Sequence, residues 1–142
     1  MIALCGDEFS VSVLSQQWQT LNPEEASAMG LTDVHSALVR QVILRCGNKP
    51  MIYARTVIPA TTIQGAQRRY ANMGNRPLGA MLFADRTMKR EAIQIAKLPV
   101  EQFVIKDLDT DEPIWGRRSV FRVSGKPLLV SEYFLPELIQ VY

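Results

Sequence analysis

Two short turns, Gly47-Asn48 and Gly125-Lys126, each sit between two long apolar stretches, a pattern that predicts two β-hairpins. Leu38–Cys46 and Pro50–Pro59 flank the first turn, and Ile114–Ser124 and Lys126–Pro136 flank the second. An extended chain sends successive side chains to opposite faces. In 126–136, Leu128, Val130, Glu132 and Phe134 therefore share a face, and Glu132 has apolar neighbours on both sides. In 50–59 the shared face carries Met51, Tyr53, Arg55 and Val57, so that Arg55 is a second charge in an apolar row. A charge removed from water must be paired or have its pKa shifted. Arg55 and Glu132 either pair with each other, reach the sheet edge, or line one pocket for an anionic ligand.

The remaining segments fill in around these hairpins. Phe9–Trp18 alternates as a strand, and Pro23–Gly30 reads as a loop or short helical turn with Asn22 as its N-cap. Thr61–Gly74 has Ile63, Ala66 and Tyr70 at helical spacing, and Pro77–Phe83 is a second short helix with Pro77 in its first turn. Arg68 and Arg69 fall on the solvated face of the first of these. Thr87–Lys97 fits a strand by its Ile93/Ile95 alternation and a helix by its composition. The acidic loop Lys106–Pro113 lacks the spacing and the glycine of a calcium-binding loop. Together these elements predict an α+β fold in one domain over residues 1–142: a single antiparallel sheet of about six strands, with helices gathered on one face and a ligand cavity between them.

Composition excludes several functions. The formal charge of +2 is small and the basic residues are scattered, with Arg68-Arg69 and Arg117-Arg118 only as pairs, which argues against nucleic acid. His35 is the only histidine and reads as a surface or helix-start residue, leaving zinc sites and Ser-His or Cys-His nucleophile systems poorly supplied. Cys5 and Cys46 read as free thiols in a reducing compartment. No apolar run reaches the roughly twenty residues of a membrane span, and the start lacks a signal peptide, so a cytoplasmic location is expected. A monomer and a small homo-oligomer are both open.

Four motifs, in order, are Ala54-Arg-Thr-Val-Ile-Pro59, Arg76-Pro-Leu-Gly79, Trp115-Gly-Arg-Arg-Ser119 and Ser124-Gly-Lys-Pro-Leu-Leu-Val-Ser-Glu-Tyr-Phe-Leu-Pro136. With them the chain, from about Phe9 to Tyr142, closely resembles chorismate lyase, the chorismate pyruvate-lyase that makes 4-hydroxybenzoate for quinone (ubiquinone or plastoquinone) synthesis. The resemblance implies a lyase without cofactor or metal, whose ligands are the substrate chorismate and the product 4-hydroxybenzoate. It also implies an antiparallel sheet with helices enclosing a buried cavity. It maps the arginine that binds the ring carboxylate to Arg55, a backbone contact to Leu78, and the glutamate near the product hydroxyl to Glu132. The family's helical segment before the first strand, with its ligand-contacting methionine, has no match here, and the stretch between Ala96 and Trp115 is longer than in the familiar bacterial enzyme.

The residue types suit that chemistry. A guanidinium clamps a carboxylate bidentately in a dry pocket, and the aromaticity of the product leaves the protein mainly orientation and proton handling. Glu132 would serve as acid, base or hydroxyl anchor. The second carboxylate of chorismate needs another cation. Arg117, Arg118 and Arg40 are candidates, with Arg117 first because it shares a strand face with Trp115 and Phe121; rim or sheet-surface roles are the alternative for all three. The competing function is a non-catalytic domain that binds a 4-hydroxybenzoate-like aromatic acid, related to the effector domains of transcription regulators.

Overall fold

A computed structural model describes residues 5–32, 36–91, 93–98 and 114–135. Its strands are β1 (Phe9–Thr20), β2 (Ser36–Cys46), β3 (Lys49–Pro59), β4 (Lys89–Arg90), β5 (Gln94–Leu98), β6 (Ile114–Val123) and β7 (Lys126–Phe134). They form one sheet in the order β1-β2-β3-β7-β6-β4, every pairing antiparallel, with β5 also on β6. Both predicted hairpins are present. The second turns one residue earlier than expected, on Ser124 and Gly125, whose φ angles of 51° and 79° suit a two-residue hairpin loop.

The stretch that fitted both strand and helix resolves as strand. β4 and β5 follow one another along the same edge of β6, Lys89 and Arg90 opposite Arg122 and Phe121, then Gln94 to Leu98 opposite Arg118 to Ile114. Pairing with an exposed edge outweighs the weak helical composition. His35 and the acidic loop 106–113 lie outside the described residues.

Helical elements pack on both faces of the sheet, where the sequence led us to expect them on one. Helix α1 (Pro23–Ala28) sets Ala26 and Met29 against Ala37, Val39, Val57, Val120 and Leu129. Asn22 caps it as expected, its Oδ1 accepting from the Glu24 and Glu25 backbone N–H groups. Six residues are too few to be helical alone, so this burial holds the element in place. The predicted helix in 61–74 is instead a 3-10 helix, Gly65–Ala71, and it shares the opposite face with α2 (Leu78–Ala84). There Tyr70, Met73 and Leu82 pack on Ile58, Phe121, Val123, Leu128 and Val130.

The cysteines are not free. Cys5 and Cys46 form a disulfide across 41 residues, tying the start of the described chain to the end of β2. The β1–β2 register that pairs Phe9 with Cys46 brings Cys5 to its partner, and two isolated cysteines in a sequence give no sign of such a register. The reducing compartment read from them loses its support.

Gly116 on β6 has its backbone so close to β7 that a Cβ there would lie 2.3 Å from the Glu132 carbonyl oxygen and 2.6 Å from the Tyr133 ring. Replacing it with alanine must shift backbone, not a flexible side-chain end. We expect Gly116→Ala to cost about 1–3 kcal/mol in a urea unfolding curve, and an unchanged midpoint would contradict this packing.

Candidate active site

Alternation along the paired strands decides which side chains meet. Arg40, Thr56 and Val130 are in register across β2, β3 and β7, and so are Val42, Ala54, Glu132 and Arg117 across β2, β3, β7 and β6. All of them point to the face covered by α2. Between this face and the segment from Pro77 to Phe83 lies a cavity of about 490 Å³, and Phe83, one of its lining residues, is largely exposed. Apolar walls with a few convergent charges are the usual make-up of a small-molecule site.

Arg40 is the most constrained of these charges. It is 4% exposed, and burial pulls its pKa below the ordinary guanidinium value, though an arginine stays charged. Its Nη1 donates to Gln16 Oε1 at 3.2 Å and its Nη2 to the Arg76 carbonyl at 3.4 Å. It has no carboxylate partner among the described residues. A buried cation held only by neutral oxygens, on a cavity wall, is built to receive an anion.

Glu132 lies on the same face, and its carboxylate accepts from Arg117 Nε at 3.0 Å. Arg117 in turn lies 5.9 Å above the Phe134 ring. The anomaly of Glu132 in its apolar row is thus answered by an arginine from the neighbouring strand, in a wall of the cavity. Leu78 is the first residue of α2 and also lines the cavity.

Arg55 does not. Since Ala54 is the residue opposite Glu132, Arg55 falls one position along, on the other face, opposite Ser131. There it donates from Nε and Nη2 to the two carboxylate oxygens of Glu25 on α1, at 3.1 and 3.0 Å, and this hydrogen bonding raises its pKa. The expected convergence of Arg55 and Glu132 on one ligand is overturned, as is their mutual pairing. Arg118 shares the Arg55 face and binds Glu24 and Gln94. Of the three arginines considered for a second carboxylate, Arg40 and Arg117 line the cavity and Arg118 does not.

Sequence reasoning under-ranked Arg40 although its signal was present: it stands between Leu38 and Val42 in β2, the same charge-in-an-apolar-row pattern that drew attention to Arg55. It missed Arg90 and Thr56, which also line the cavity. Arg90 sits in a two-residue strand at an exposed edge, and Thr56 is an ordinary strand residue, so neither has a pattern to mark it. For a metal, only Cys5, Glu8 and Cys46 cluster closely among the described residues, and the two sulfurs are bonded to each other.

The family profile for chorismate lyase matches residues 1–142. The chain belongs to the chorismate lyase family. A relative from Methylococcus capsulatus, named a probable chorismate pyruvate-lyase, is 41% identical over 142 residues, covering 98% of this chain and 88% of its own. One from Psychromonas ingrahamii with the same name is 41% identical, covering 91% and 72%. The chain is accordingly a member of a lyase family. In fold it is similar to a GntR-family transcriptional regulator from Bacillus cereus, with a TM-score of 0.69 at 12% identity over 92% of this chain and 94% of that one. It is equally similar to the C-terminal domain of the histidine utilization repressor from Pseudomonas syringae, with a TM-score of 0.69 at 12% identity over 91% and 92%. No helix among the described residues is long and apolar enough to cross a membrane.

The roof of the cavity is fastened by Asp85, which follows α2. One of its carboxylate oxygens accepts from Tyr70 OH at 2.8 Å and Arg69 Nη2 at 2.7 Å; the other accepts from the backbone N–H and the hydroxyl of Thr87. Burial alone would raise its pKa, but these donors, with Thr87 foremost, together hold it down at about 2. Burial and the Asp85 contact push Tyr70 up to about 12. Because the folded state favours the ionised carboxylate, the stabilisation is complete above the ordinary value of 3.8 and is lost as pH falls towards 2. We expect the unfolding free energy to fall by on the order of 1–2 kcal/mol across that window from Asp85. Asp85→Asn should be less stable at neutral pH and lack that part of the slope; a variant with the wild-type acid profile would contradict the assignment.

Proposed function

We propose that this protein eliminates pyruvate from chorismate to give 4-hydroxybenzoate, without a cofactor. The observation that carries the reading is Arg40, a buried cation with no acidic partner among the described residues, facing a cavity that also presents Glu132. Three arginines and one glutamate line that cavity and leave two positive charges in excess, a match for a substrate with two carboxylates. Membership of the family supplies the substrate.

In this reading Arg40 clamps the ring carboxylate, the role that the resemblance had mapped to Arg55. Thr56, opposite Arg40 in the strand register, lines the same cavity. The backbone of Leu78 makes the second contact, at the start of a helix that no side chain caps. Glu132, steadied by Arg117, meets the ring hydroxyl. The bond between the ring and the enolpyruvyl oxygen then breaks while the hydrogen on the hydroxyl-bearing carbon leaves as a proton. The ring becomes aromatic, and the enolpyruvate takes up a proton to become pyruvate. Because aromatisation drives the step, positioning is the main contribution of the protein. The quinone end use of the product rests on the resemblance alone, and a cytoplasmic location belongs to the same reading.

Incubation of the purified protein with chorismate should release 4-hydroxybenzoate and pyruvate in equal amounts. Saturable binding with no release would favour a binding domain instead. If Glu132 moves a proton in the transition state, Glu132→Gln should lower kcat by on the order of 10²–10⁴-fold, whereas full turnover with unchanged product affinity would leave it only an anchoring role.

A further inference from the structure

The two carboxylates of chorismate lie on different parts of the molecule, and only the one on the ring survives in 4-hydroxybenzoate. The cavity must therefore hold a cation that the substrate needs and the product does not. Arg40 is taken by the ring carboxylate, and the charge of Arg117 is offset by Glu132 at 3.0 Å. One arginine remains. We propose that Arg90 binds the carboxylate of the enolpyruvyl arm, an inference that rests on chorismate being the substrate.

Arg90 lies on β4, opposite Phe121 of β6, and lines the cavity. Its guanidinium sits over the Phe121 ring, 5.2 Å from the centroid, and its Nη2 donates to Ser119 Oγ at 3.0 Å. Ser119 is itself fully buried, so the serine is a fixed post. These two contacts hold the guanidinium in place while using one of its five N–H donors. It has no carboxylate partner among the described residues, although Glu91 is its neighbour in sequence; Glu91 Oε1 accepts from Arg122 Nε. A guanidinium that is oriented by stacking, bonded only to a neutral hydroxyl and turned to the cavity is prepared for a carboxylate. Its place on the exposed edge strand, away from the buried Arg40, suits the arm that departs as pyruvate.

The two ligands separate the roles. For Arg90→Gln, KM for chorismate should rise by about 10-fold to 100-fold, the loss of one charge-assisted contact, while the dissociation constant of 4-hydroxybenzoate stays within about twofold of wild type by the same reasoning. Ser119→Ala should move the chorismate KM in the same direction by less. Parallel losses of chorismate and 4-hydroxybenzoate affinity would show a general disturbance of the cavity and overturn the assignment, as would an unchanged KM for chorismate. Should wild type bind chorismate without releasing pyruvate, the proposed reaction fails, and the same comparison is read from the dissociation constants of the two ligands.

Discussion

The pairing of β3 with β7 that sets Ala54 opposite Glu132 is the constraint on which the site depends. With side chains alternating, that one register sends Ala54, Thr56, Val130 and Glu132 into the cavity and Arg55 and Ser131 away from it. The neighbouring strands extend the rule, bringing Arg40 in from β2 and Arg117 from β6. A slip of one residue between β3 and β7 would turn Glu132 to the face opposite Arg40. Gly116 protects the register by allowing β6 and β7 to approach where a side chain would not fit.

The two faces divide the work. On one, Arg55 and Glu25 neutralise each other in a two-point ion pair between sheet and α1, flanked by the apolar cluster of Val39, Val57 and Leu129. Breaking such a pair strands a partly buried charge, so it favours this placement of α1 over others. On the other face, charges are left incompletely matched around an empty volume, with Asp85, Tyr70 and Thr87 fixing the roof above them. Arg55 and Arg118 on the α1 face are paired with acids, whereas the arginines of the site are held by neutral groups or by Glu132.

The fold was largely legible because it rests on local signals. Hairpin turns, alternating strands, the Asn22 cap and the short helix from Leu78 are all written in neighbouring residues. The disulfide and the second layer of packing by α1 were not, since both follow from long-range register. The same limit explains the site. Glu132 could be singled out as a charge in an apolar row, and so could Arg55, but alternation within a strand cannot tell which face of the sheet is which. Four motifs identified the family without correcting the face, and the buried cation on the cavity wall, Arg40, comes from Leu38-Val-Arg-Gln-Val42, outside all four.

The central claim is that Arg40, and not Arg55, receives the carboxylate of the ligand. The most direct test is equilibrium binding of 4-hydroxybenzoate to Arg40→Gln and Arg55→Gln, with folding of each confirmed by its unfolding transition. Loss of a buried charge-assisted contact should weaken binding to Arg40→Gln by about 10-fold to 100-fold or more. Arg55→Gln should lose stability through Glu25 and bind the product as wild type does. Weak binding by Arg55→Gln alongside normal binding by Arg40→Gln would contradict the account.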